Sequence, residues 1–283
     1  MKRIFYLLVS LLIVVGCQSE KNTDLKVITF NIRYDNPGDS PNNWDARKVH
    51  VYDFTKERKP DVMGMQEVLH SQLLDLKSNL PQYDFIGVGR DDGKTEGEYS
   101  PVAYLRDKFE KLDGNTFWLS EYPDSVGLMG WDAVCTRIAT WAKLKDKSNG
   151  NIFMVVNTHF DHIGREARNK SALLIIDKIK EIVGDNPAIL TGDFNVTDAS
   201  SAYKTITTNE FKLIDAHKTA GKVSGETQTF QNFGRNSGDT GDKIDFVFVT
   251  PQIKVKSSEI PSSLTSSGLY LSDHNPQIVE LSF

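Results

Sequence analysis

The chain has 283 residues, a 39% hydrophobic content and a formal net charge of −5 at neutral pH. That length and an ordinary apolar share suit one large domain. The acidic balance excludes an extended, nonspecific grip on duplex nucleic acid, which calls for a basic face to neutralise phosphates.

The amino terminus reads as an export signal. Lys2 and Arg3 precede an apolar run from Ile4 to Val15, and that run is shorter than the ~20 residues that cross a bilayer. Its end, Val14-Val15-Gly16-Cys17, resembles a bacterial lipobox. The resemblance implies cleavage after residue 16, lipid on Cys17, and a chain exported to the bacterial cell envelope and anchored at its outer membrane. Several acyl chains hold a protein firmly where one does not. Loss of residues 1–16 removes two cations and takes the net charge to −7. With Cys17 acylated, Cys135 is left without a disulfide partner, so the fold must rest on its core. The predicted organisation is a signal peptide at 1–16, a polar tether at 17–24 and one domain at 25–283.

In chain order, alternation predicts a first strand at 25–32, with Leu25, Val27, Thr29 and Asn31 on one face and Lys26, Ile28, Phe30 and Ile32 on the other. A helix at 44–58 is stopped by Pro60. Strands are predicted at 61–68, 102–106, 138–144, 152–160, 188–191, 244–249 and 277–281, with a helix at 70–80. A second long helix, at 167–183, carries apolar residues at 172, 175, 176, 179 and 183, the spacing of one face. Residues 87–95, GVGRDDGKT, end like a phosphate-binding P-loop, but the first glycine is one residue out of register, and the match is rejected.

The informative pattern is polar residues at the ends of apolar strands, where a sheet would present them at one rim. Asn31, Glu67, His159, Asp193 with Asn195, and Asp273 with His274 all stand there. In extended backbone, Asp193 and Asn195 would point one way and Phe194 the other. Glu67, Asn31 and Asp273 offer the hard oxygen atoms that suit Mg²⁺, Mn²⁺ or Ca²⁺.

Taken together, TFNIR, QEV, NTHFDH, TGDFN, IDFVFV and LSDHNP, spread over residues 29–276, closely resemble the endonuclease/exonuclease/phosphatase, or DNase I-like, superfamily. The resemblance implies an α/β (α+β) four-layer sandwich, in which two mainly antiparallel β-sheets pack face to face with helices outside. It also implies a metal-dependent phosphoric ester hydrolase. Glu67 would be the principal ligand of the metal, most simply Mg²⁺, with Asn31 and Asp273 as ligands or close neighbours. Asp193 would activate water and Asn195 would hold a phosphate oxygen or the attacking group. His159 and His274 would stabilise the transition state, and Asp245 would orient His274.

Tyr104, Arg137 and Trp131 are further substrate-binding candidates: the resemblance implies a tyrosine near the phosphate at Tyr104, while Arg137 offers a guanidinium fork and Trp131 an aromatic wall. His50, His70, His162 and His217 stay outside the catalytic set. Arg33 departs from nucleases acting on abasic DNA, which tend to carry an acidic residue there. The expected substrate is a phosphorylated small molecule, a phospholipid head group or nucleic acid, as a phosphate mono- or diester. A secreted nuclease, a sphingomyelinase-like phospholipase and a non-catalytic surface-binding module are the alternatives.

Overall fold

Alternation organises the first strand, and both of its faces are buried. The computed structural model describes residues 22–236 and 241–283; the expected signal peptide and the lipidation position Cys17 lie outside them. In β1 (Asp24–Asn31), Leu25 and Val27 enter one apolar layer, while Ile28, Phe30 and the following Ile32 enter another. Thr23 is buried and exchanges backbone hydrogen bonds with Phe283 at 2.8 and 3.2 Å, so residues 23 and 24 belong to the domain rather than to a tether.

α1 (Trp44–Arg58) starts where the Asn43 side chain accepts from the Ala46 N–H at 3.1 Å, and ends at Lys59, whose left-handed φ of 48° precedes Pro60. Next come β2 (Val62–Gln66), α2 (His70–Asn79), β3 (Tyr83–Ile86), β4 (Val102–Leu105), β5 (Phe109–Trp118), β6 (Ile138–Asp146) and β7 (Ile152–His159). The chain continues through α3 (Arg165–Val183), β8 (Ala188–Asp193), α4 (Ser201–Thr208), β9 (Ile214–Asp215), α5 (Ala216–Thr219) and β10 (Val223–Gly225). It closes with β11 (Asp245–Val249), β12 (Lys254–Ile260) and β13 (Gln277–Ser282).

The strands form two sheets, ordered β10-β12-β13-β1-β2-β4-β3 and β5-β6-β7-β8-β11-β9. Pairing is mainly antiparallel, with β1–β2, β7–β8 and β10–β12 parallel. Three apolar clusters define four layers. One lies between the sheets, one holds α1 and α2 against the first sheet, and one holds α3 and α4 against the second. The helical face at 172, 175, 176, 179 and 183 is wholly buried in the last of these.

β3, β5, β9, β10 and β12 were not expected, nor were the short helices α4 and α5. β3 is short and mostly half-buried, and the alternation of β12 is carried by polar and charged residues. β5 is an edge strand with an exposed middle and a register irregularity between Lys111 and Asp113. A strand with one solvated side carries no continuous apolar run for sequence reading to find.

Gly64 sets how closely the sheets approach. A Cβ there would lie 2.1 Å from Thr191 Oγ1 and 2.5 Å from Asn157 Oδ1. Beside it a buried polar knot ties the sheets together: Gln66 donates to Asn157 at 2.6 Å, and Asn157 donates to the carbonyls of Met65 at 2.6 Å and Pro101 at 3.0 Å. One rim lies beyond this knot. The parallel strands β1, β2, β7 and β8 reach it with their carboxyl ends, and the antiparallel β4, β6, β11 and β13 reach it with their amino ends.

Candidate active site

A cavity of about 540 Å³ opens at that rim. Glu67, Arg137, His159, Asp193, Asn195, Asp273 and His274 line it, so segments from both sheets converge. Asn31 and Asp245 are fully buried directly behind.

Register makes the first demand. Asp193 and Asp245 stand opposite each other across β8 and β11, where two like charges repel. His274 answers this: its Nδ1 is 2.8 Å from Asp245 Oδ2 and its Nε2 is 3.7 Å from Asp193 Oδ2. Burial alone would lower the pKa of the ring, but the two carboxylates overcome it and push it up to about 10. Asp193 is pushed up to about 7, by burial first and then by Asp245, against the opposing pull of His274.

His159 has a different environment. Asn195 Nδ2 contacts both the Phe160 carbonyl, at 2.9 Å, and His159 Nε2, at 3.0 Å. An amide nitrogen can only donate, so His159 Nε2 accepts and the ring proton lies on Nδ1, 3.8 Å from Glu98 Oε2. Burial, with Arg137 and Arg90 nearby, holds the His159 pKa well below the ordinary value, and the ring is neutral.

Asn195 does not continue the strand as expected. Its φ is 50°, and its N–H donates to Asp193 Oδ1 at 2.9 Å in a local turn. Both side chains still face the cavity while Phe194 is buried, because Asn tolerates the left-handed region. Arg33, Glu67 and Asn232 also have positive φ and also line the cavity. Backbone strain of this kind collects at functional sites.

On the other wall, Asn31 Nδ2 donates to Glu67 Oε1 and to Asp193 Oδ2, each at 3.0 Å, and its oxygen accepts from the Arg33 N–H at 2.9 Å. Asn31 is thus a bridge behind the cavity, with its oxygen already engaged. Glu67 Oε2 accepts from the Tyr34 N–H at 3.1 Å. Asp273 is pushed upward, mainly by burial, with the negative charge of Glu67 adding and His274 opposing.

Arg137 is 95% buried in the cavity wall, with Nη2 3.1 Å from His162 Nδ1 and Nη1 4.0 Å from Glu98. The other two substrate-binding candidates lie elsewhere. Tyr104 pairs with Val62 at the start of β2, ~13 Å along the strand from the rim, and its hydroxyl donates to Asp84 at 3.4 Å. Trp131 is half-buried in a loop, where its N–H is 3.2 Å from both Glu121 carboxylate oxygens, and it does not line the cavity.

Sequence reading missed Arg33, Arg90, Glu98 and His162 as cavity residues. Glu98 precedes β4, whose antiparallel pairing with β2 brings its amino end to the rim, and no local sequence signal gives that pairing. His162 closes NTHFDH. His50, His70 and His217 do not line the cavity.

Comparison with known proteins follows this geometry. Residues 28–274 match the model of the endonuclease/exonuclease/phosphatase family. A crystal structure of an endonuclease/exonuclease/phosphatase from Bacteroides vulgatus is 65% identical, with a TM-score of 0.89, over 92% of this chain and 98% of that one. A mannosyl-6-phosphatase from Bacteroides thetaiotaomicron is 40% identical, with a TM-score of 0.86, over 92% of this chain and all of the other. Nocturnin of Drosophila melanogaster is 25% identical over 270 residues, which cover 82% of this chain and 41% of that protein. The chain therefore spans about two fifths of that curated relative.

Proposed function

The chain belongs to the endonuclease/exonuclease/phosphatase family, whose members are phosphoester hydrolases, and from that premise we propose that it hydrolyses a phosphate monoester of a sugar or similar small polyol. The observation that carries the hydrolytic reading is the Asp193–His274–Asp245 array facing Glu67 and Asp273 across one cavity. The monoester reading draws on full-length likeness to the mannosyl-6-phosphatase and on a cavity sized for one small molecule between Arg33, Arg90 and Arg137.

The residues fit a divalent cation. Glu67 and Asp273 are crowded carboxylates, with Asp273 pushed upward by burial and by Glu67, and hard oxygen donors suit Mg²⁺, Mn²⁺ or Ca²⁺. Held there, the ion would supply Lewis-acid polarisation of a phosphoryl oxygen. Asp193, Asp245 and His274 also bring possible ligand atoms within 4.8 Å of one another. Yet Asp245 occupies Nδ1, and a protonated imidazole offers no lone pair to a metal.

Asp193, poised near neutrality, takes the proton of the attacking water. Cationic His274 stabilises charge on the phosphoryl oxygens, and Asp245 keeps its ring oriented. Asn195 has committed its amide nitrogen to Phe160 and His159, so it offers its oxygen to the water or substrate. Neutral His159 positions Asn195, and Arg137 receives phosphate oxygens. In this proposal the chain acts outside the inner membrane, held by lipid on Cys17; the N-terminal sequence supports that placement. Among the described residues no helix is long and apolar enough to cross a membrane.

A side-by-side assay on mannose 6-phosphate, bis(p-nitrophenyl) phosphate, plasmid DNA and sphingomyelin, with Mg²⁺ or EDTA, tests the reading. Monoester turnover that EDTA abolishes is expected. Preference for the diester, DNA or lipid would reject the substrate class, and no turnover of any of them would reject the hydrolase.

A further inference from the structure

The Arg33 guanidinium stands among the carboxylates of the cavity. Its Nη1 is 3.7 Å from Glu67 Oε2 and its Nε is 3.8 Å from Asp273 Oδ2. The fork of Nε and Nη2 grips Asp39 at 2.8 and 3.3 Å, and the guanidinium carbon lies 4.4 Å from the centre of the Tyr34 ring.

Arg33 cannot easily swing aside. Its backbone is left-handed, with φ 58°, and its carbonyl accepts from Arg47 Nη2 at 2.6 Å and Gln72 Nε2 at 2.9 Å. Arg47 is itself fully buried and also donates to the Ile32 and Leu271 carbonyls, tying this turn to the segment before Asp273. The placement is therefore built into the fold, unlike that of a surface side chain free to follow the charge around it.

We propose that Arg33 takes the place of a second metal ion, so that the cavity binds one divalent cation per chain. The inference rests on the reading of Glu67 and Asp273 as metal ligands. Charge supports it. The three carboxylates around Arg33, those of Glu67, Asp273 and Asp39, are balanced by one guanidinium and one divalent ion, whereas a second ion would leave an excess of two positive charges. A second ion would also sit against a fixed cation at close range, where partial burial weakens screening.

The test counts Mn²⁺ bound to the full chain by electron paramagnetic resonance, with no substrate present. Wild type should bind one ion, and Arg33→Lys, which retains the charge, should also bind one. Arg33→Met, which fills the space without charge and releases three carboxylates, should bind two. Two ions on wild type or on Arg33→Lys, or one ion on Arg33→Met, would overturn the inference and leave the ligand reading standing. No Mn²⁺ on wild type would defeat the ligand reading itself, and Glu67→Gln, expected to bind none, checks that reading separately. Should Arg33→Met not fold, the counts on wild type and Arg33→Lys still decide.

Discussion

His274 and His159 are buried in one cavity, within 3.7 and 3.5 Å of the same Asp193 oxygen, yet their pKa values are pushed in opposite directions. His274 has a second carboxylate in hydrogen-bond contact, Asp245 at 2.8 Å. His159 meets an amide donor instead, has its Glu98 neighbour at 3.8 Å, and is faced by Arg137 and Arg90. A short charge-assisted bond outweighs desolvation, while looser contacts shared with arginines do not. One histidine at the carboxyl end of β7 and one in the segment before β13 are thus given different work by neighbours about 1 Å nearer or farther.

Activity should show the difference first. His274→Gln should lower kcat by roughly 100- to 1,000-fold, the scale of losing a donor to transition-state charge. His159→Gln should cost about tenfold, the low end for a residue that orients another. Equal losses would erase the distinction. Asp245→Asn should fall between them, at about 10- to 100-fold; a loss larger than that of His274→Gln would break the proposed pairing.

Stability against pH should separate the rings by sign. The pKa of His274 is raised to about 10, so its contribution is complete below the unfolded value of about 6.5 and is lost as pH rises toward 10. That of His159 is lowered, so its contribution is present above about 6.5 and is lost as pH falls. In thermal melts with EDTA, His274→Gln should flatten the alkaline limb and His159→Gln the acid limb. Unchanged limbs would contradict these charge states.

Tyr104→Phe is the control outside the cavity. It should leave kcat within about twofold and cost about 0.5–1 kcal/mol through the lost Asp84 contact. A large loss of activity would return Tyr104 to the site.

Local pattern was enough to locate α3 by its apolar stripe, the end of α1 by Pro60 and the central strands by their apolar runs, because a strand or helical stripe buried in the core is mostly apolar wherever the chain goes. Asn31, Glu67, His159, Asp193, Asp273 and His274 were legible for a related reason: each is a polar residue at the end of an apolar run. Edge strands such as β5 left no such imprint, since one side of them faces water. Tyr104 was misplaced because a strand's sequence does not tell which of its ends meets the rim; the antiparallel pairing of β4 with β2 brings Glu98 there instead. Protonation and charge balance were settled only by tertiary structure. They depend on separations of a few ångströms between residues far apart in the chain, such as Asp245 and His274, or Arg33 and Asp273.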